Sequence, residues 1–125
     1  MDTLDQFHKQ KYLNLETFRK SGEGLKTPVW FVQDGESLFV LTLANSGKVK
    51  RIRNNGRVNI APCRMDGKLT GTWVPARARQ VTDPAVSTTV DRLLDRKYGL
   101  LKKMFLNRSS KENGQDAILE IIIIE

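Results

Sequence analysis

Apolar and polar positions alternate along much of this chain, and the period is mostly that of strands. In residues 12–19, Tyr12, Asn14, Glu16 and Phe18 face one way and Leu13, Leu15 and Thr17 the other, as in a strand with one buried face. Residues 27–33 (TPVWFVQ) form a nearly continuous apolar run. Pro28 removes one ladder donor from it and predicts an irregular or edge-facing start. Ser37–Leu43 and Arg57–Cys63 read as the third and fourth strands. Residues 69–81 read as a longer fifth strand, bent at Gly71 in the way small barrels turn their corners. The last, 117–125 (AILEIIIIE), holds four consecutive isoleucines and describes a strand buried on both faces or against a partner subunit.

The punctuation between these runs sets the connections. Asp34-Gly35 sits between two strand-like runs and predicts a type I′ hairpin, because both residues tolerate positive φ. Residues 21–24 (SGEG) form a turn. It lacks the third glycine of a dinucleotide fingerprint and no helix follows, so it carries no phosphate role. Met65-Asp66-Gly67-Lys68 makes another turn. A short helix is expected within residues 1–11, and a second after Ser46, ending near Asn54-Asn55-Gly56. Asp83-Pro84 opens a longer one, a capping carboxylate followed by proline at the first helical position. Val86, Val90, Leu93, Leu94, Lys97 and Leu101 recur at helical spacing and put one face on the sheet. Gly99 breaks or kinks that helix before a shorter piece at 100–106 and a polar loop at 107–114. Six mostly antiparallel strands with flanking helices, in one domain spanning 1–125, are most economically buried as a small closed or partly open β-barrel.

Charge changes this picture by adding a partner. The formal net charge of +7 calls for an anion, whether nucleic acid, acidic lipid or a phosphorylated small molecule. Lysines and arginines gather in residues 48–64, 77–79 and 92–111, with acidic residues scattered between them. The longest apolar run, 121–124, is far below the roughly 20 residues of a membrane-spanning helix, so no membrane association is expected. The first residues show no apolar leader and Cys63 is the only cysteine, from which a cytoplasmic location without disulfides is expected.

The side chains exclude most self-sufficient catalysts. One histidine (His8) and one cysteine cannot build the usual zinc site, Cys–His pair or Ser–His–Asp triad, and no P-loop occurs. An enzyme of this composition needs a bound cofactor to carry the reactivity. One stretch suits that need. The strand ending at Leu43 passes through a polar loop into a helix carrying Lys48, Lys50, Arg51 and Arg53. The first turn of such a helix offers unpaired N–H groups and the positive end of its dipole, to which Thr42, Ser46 and Lys48 add two hydroxyls and a charge. Taken alone, the same residues also make an ordinary strand-to-helix connection, capped by Ser46, with a solvated basic face.

The pattern Thr42-x-x-x-Ser46-Gly47-Lys48, together with YLNLETFRKSGEGLKTPVWFV and SGKVKRIRNNGRVNIAPCRMDGKLTGTW, resembles the pyridoxamine 5′-phosphate oxidase-like split-barrel proteins, and within them the flavin- and deazaflavin (F420)-dependent oxidoreductases. The resemblance spans residues 12 to 83. It implies a six-stranded antiparallel split β-barrel and a homodimer with FMN or F420 at the interface. By matched position, Thr42, Ser46, Gly47 and Lys48 would hold the cofactor phosphate with Arg51 assisting, and Thr27, Pro28, Val29 and Trp30 would line the ring system. Trp73 and Arg77 would contribute from the second subunit. Core packing is an equal reading for the two tryptophans, and a solvated strand position for Arg77. The histidine and arginine pair with which true pyridoxamine phosphate oxidases recognise substrate is missing, so vitamin B6 oxidation is not expected. The implied activity is hydride transfer between the cofactor and a small conjugated substrate. The alternatives are a non-catalytic flavin or heme carrier, or a basic barrel for nucleic acid. Against the last stands the lack of an aromatic platform on one strand face.

Overall fold

The computed structural model describes residues 3–99 and 116–124. A short 3-10 helix (Thr3–Phe7) leads into strands β1 (Tyr12–Phe18), β2 (Gly24–Trp30), β3 (Val32–Asp34) and β4 (Ser37–Leu43). Helix α1 (Gly47–Asn54), strands β5 (Arg57–Cys63) and β6 (Val74–Val81), helix α2 (Pro84–Tyr98) and strand β7 (Asp116–Ile123) follow. The shorter helical piece expected at 100–106 and the loop at 107–114 lie outside the described residues. No helix among the described residues is long and apolar enough to cross a membrane.

All seven strands join one antiparallel sheet in the order β2-β1-β5-β6-β7-β4-β3. The sheet curls around a core of Leu13, Leu15, Phe31, Leu38, Val40, Ile60, Leu119 and Ile121, with Val49 and Ile52 of α1 closing one end. On the other side of β4 and β7, α2 lays Val90, Leu94 and Tyr98 against Val32, Phe39 and Ile118. The buried stripe therefore runs Val90, Leu94, Tyr98 at intervals of four, with Tyr98 where the sequence pattern suggested Lys97.

Seven strands replace the expected six because residues 27–33 are not one strand. Trp30 pairs with Tyr12 on one edge of the sheet, and Val32 pairs with Phe39 on the other. Phe31 alone bridges the two. Pro28 does lie in an edge strand, as its missing donor requires. The hairpin between β3 and β4 is present, but its loop residues are Gly35 and Glu36. Positive φ occurs only at Gly35 (63°), which is the pattern of a type II′ turn and not type I′. The fifth strand is shorter than expected and starts at Val74. Leu69 makes a single bridge to Cys63, after which Gln6 takes the place of a partner strand, accepting from Thr72 N at 3.0 Å and donating to Thr72 O at 2.9 Å. Gly71 permits this approach, since a Cβ there would meet Gln6 Oε1 and Pro62 Cγ at 2.6 Å. The final strand is buried at Ile121, whereas Ile122 (45%) and Ile124 (36%) are exposed.

Candidate functional site

The break at Phe31 makes a cleft. Beyond it β2 runs along β1, while β4 continues past its short partner β3, so the facing edges of β2 and β4 diverge without pairing. Each leaves alternate backbone N–H and C=O groups unclaimed by a neighbouring strand. The cavity between them has a volume of about 520 Å³. Thr27, Pro28, Val29 and Trp30 line it from β2, and Leu41, Thr42 and Leu43 from β4. Tyr12, Met65, Leu94, Asp116 and Lys48 complete the wall. Six of the residues singled out in the sequence thus meet in one place, although more than ten positions separate the β2 group from Thr42 and Lys48.

Lys48 stands at the α1 end of this cleft, its Nζ 3.5 Å from Thr42 Oγ1. Burial, and then the charge of Arg51 one turn on, hold its pKa below the ordinary lysine value. An anion at this point would offset both. Ser46 caps the helix, its Oγ accepting from Val49 N at 3.4 Å, and no acidic residue occupies the first turn. Ser46 and Gly47 precede Lys48 at the mouth without lining the cavity in the single chain. Among the described residues the only carboxylate in the lining is Asp116, whose pKa is raised by burial.

The ring-lining wall is held from behind. Trp30 stacks on Tyr98 with ring centroids 4.3 Å apart and planes 7° from parallel. Tyr98 Oη accepts from Phe31 N at 3.1 Å, and its one proton lies between the carbonyls of Lys11 (2.7 Å) and Phe31 (2.9 Å). Lys97 donates to the same Phe31 carbonyl at 2.8 Å, with Nζ 3.7 Å from the centre of the Phe31 ring. The residue as a whole is exposed, but its ammonium is packed against the ring, and this desolvation lowers its pKa to about 8. Tyr98 shifts upward, chiefly because burial disfavours the phenolate.

The remaining candidates lie elsewhere. Arg51 does not line the cleft: its Nε donates to Thr17 Oγ1 at 2.6 Å, and its guanidinium lies against Gly47. Trp73 is partly buried beneath Lys26, whose Nζ is 5.4 Å from the ring centre. Arg77 is exposed on β6 beside Arg57 and Ile122. Neither Trp73 nor Arg77 touches the cleft of its own chain. Tyr12, Leu41 and Leu43 were missed although the pattern held a sign of them. Tyr12 is the register partner of Trp30, and the two leucines flank Thr42. Met65, Leu94 and Asp116 come from distant segments and had no local signal.

No known family pattern matches this sequence, and no curated protein does. The similarity is in the fold. The heme storage protein HutZ from Vibrio cholerae superposes with a TM-score of 0.74 at 16% identity, covering 97% of this chain and 87% of its own. An FAD-binding protein from Mesorhizobium loti gives 0.64 at 13% identity, over 97% and 84% of the two chains. An F420 reductase gives 0.61 at 16% identity, over 97% and 92%. The chain therefore shares its fold with these proteins, a curled antiparallel half-barrel sheet of seven strands where six were expected.

Proposed function

With a split barrel as premise, we propose that the cleft between β2 and β4 binds FMN or F420, and that the protein is an oxidoreductase acting on a small conjugated substrate. One observation carries this reading. The two segments that resemble ring-binding and phosphate-binding sequences, distant in the chain, converge on one mainly apolar cavity with a partly buried lysine at one end. The residues fit such a ligand. Thr42 and Lys48 would hold the phosphate, with Ser46 and Gly47 beside them at the start of α1, while Pro28, Val29 and Trp30 offer a flat apolar wall to the ring. Unpaired backbone groups along β2 suit the polar edge of a ring system. When bound, the cofactor supplies the two-electron chemistry, and the chain binds, orients and excludes water.

The cleft is open on the side of Met65, which is 72% exposed, and Ile122 and Ile124 present further apolar surface on β7 and just beyond it. A second copy of the chain covers such surface in this reading, and Trp73 and Arg77 are the residues it would bring. Light scattering at micromolar concentration then gives twice the chain mass of 14.2 kDa. A carrier that holds heme or flavin without turnover is the second reading, favoured by the storage protein among the structural neighbours. The absorption spectrum of the purified protein separates heme from flavin and deazaflavin.

The decisive test is Lys48→Ala. Loss of a charge-assisted hydrogen bond worth about 1.5 to 3 kcal/mol weakens FMN or F420 binding about ten- to a hundredfold. Equal dissociation constants for wild type and variant with both ligands would remove the basis of this reading.

A further inference from the structure

A second concavity of about 700 Å³ lies on the other side of α1, between its C-terminal end and the turn joining β1 to β2. Arg19, Lys20, Arg51 and Arg57 line it, and among the described residues no carboxylate does. Arg19 has an exposed ion pair with Glu23 at 3.0 Å, and Glu16, the register partner of Asn59, accepts from its amide at 3.0 Å. The Lys20 and Arg57 side chains have no ion pair or hydrogen bond among the described residues. Four like charges converging on one hollow repel one another, and the C-terminal end of a helix dipole is no source of attraction for an anion. The arrangement becomes favourable when a multiply charged anion sits among them.

Part of the site is built in advance. Arg51 is oriented by Thr17, which is 1% exposed, and its guanidinium occupies space that a side chain at position 47 would fill, 2.7 Å from where a Cβ would stand. Asn55 Oδ1 accepts from Arg57 N at 3.1 Å and fixes the bend that brings Arg57 to the rim. Phe18 and Asn54 add a ring and an amide to the same lining. Guanidinium groups match phosphate oxygens in pairs, while an aromatic face and an amide are what a nucleobase needs. We propose that this concavity is a second ligand site, separate from the β2–β4 cleft, and that it takes a nucleoside diphosphate. The four cations surround one solvent-open concavity instead of running along the surface as a stripe, which favours a small molecule over a nucleic acid strand.

The test is titration calorimetry of the full chain at near-physiological salt with ADP, inorganic tripolyphosphate and single-stranded oligonucleotides of increasing length. ADP binding is expected once per chain and more tightly than tripolyphosphate. It should weaken about tenfold in Arg51→Gln and again in the exposed Arg57→Gln, and stay unchanged in Lys48→Ala. FMN and F420 binding, followed separately by their absorbance, distinguishes failure here from failure of the cleft reading. No saturable binding at millimolar ADP would overturn the proposal, as would equal affinity for tripolyphosphate. So would affinity that grows with oligonucleotide length, or loss of ADP binding in Lys48→Ala.

Discussion

Helices α1 and α2 follow strands in the same way, each opened by a side-chain cap, yet their N-termini are electrostatic opposites. In α2 the cap is Asp83, whose carboxylate accepts from Ala85 N at 2.9 Å and places a negative charge on the positive end of the helix. In α1 the cap is the neutral Ser46, and the next residue but one is Lys48. One helix satisfies its own dipole and the other adds to it. Their C-termini differ too. The last turn of α2 is pinned to Phe31 through Lys97 and Tyr98, whereas that of α1 borders a hollow lined with cations. In this chain, the helix that completes its own electrostatics is pinned as scaffold, and the helix that leaves them incomplete presents cations to two cavities.

The comparison is most sharply broken by giving α1 the cap of α2. Ser46→Asp is expected to weaken FMN or F420 binding a hundredfold or more, a cost of about 2.7 kcal/mol or above. Its melting temperature should be unchanged or raised, because aspartate is as good a cap as serine. Retained affinity would mean that the start of α1 is not the phosphate end of the cleft. The affinity of the wild type should also fall as pH rises through the lowered pKa of Lys48, since the protonated lysine is the form that binds an anion, and this slope should vanish in Lys48→Ala.

At the other end of α2, Tyr98→Phe keeps the ring stacked on Trp30 but strips Phe31 N of its acceptor. A loss of roughly 1 to 3 kcal/mol in denaturant unfolding is expected, with a change in tryptophan fluorescence. Unaltered stability would show that the hydroxyl does not secure the break in the sheet. Asp83→Ala should cost about 1 kcal/mol of stability and leave cofactor affinity alone. A weaker cofactor would contradict the division between the two helices. The smallest effect concerns Lys97. Its folded pKa is about 8 against 10.5 for an unperturbed lysine, so above pH 8 the folded state releases a proton that the unfolded chain retains. Stability therefore rises between these values, and melting curves at pH 7 and 9.5 should show wild type gaining on Lys97→Met as pH increases.

Much of this was legible in the chain itself. Ser37–Leu43 and Arg57–Cys63 have the bounds expected of them; the first shows as an apolar run because both its faces are covered, Leu38 and Val40 by the barrel core and Phe39 by α2. Ser46 and Asp83 are the caps their chemistry suggests. The break at Phe31 was hidden because every residue of TPVWFVQ suits a strand, and what divides the run is a choice of partner made elsewhere. The early end of pairing before Val74 depends on Gln6, 66 positions away from Thr72. Of the site, the residues contiguous in sequence were found. Arg51, to which the resemblance gives an assisting role at the phosphate, donates to Thr17 and lines the second concavity, a placement that only the fold reveals.

Phe31 has a consequence for the whole sheet. Strands β2 and β3 are its two outer edges, yet they are consecutive in the chain with one residue between them. The hydrogen-bonded order is open, but the covalent chain closes it into a circuit. A slip of β3 against β4 by one position would have to be absorbed at Phe31 or passed through it to β2 and β1, and a one-residue slip exchanges the two faces of a strand. The alignments on opposite edges of the barrel are thereby locked to each other, and neither hairpin is free to misalign alone. Deleting Phe31 would not trim a loop. It would turn one of two strands inside out, sending either Val29 away from the barrel core or Val32 away from α2.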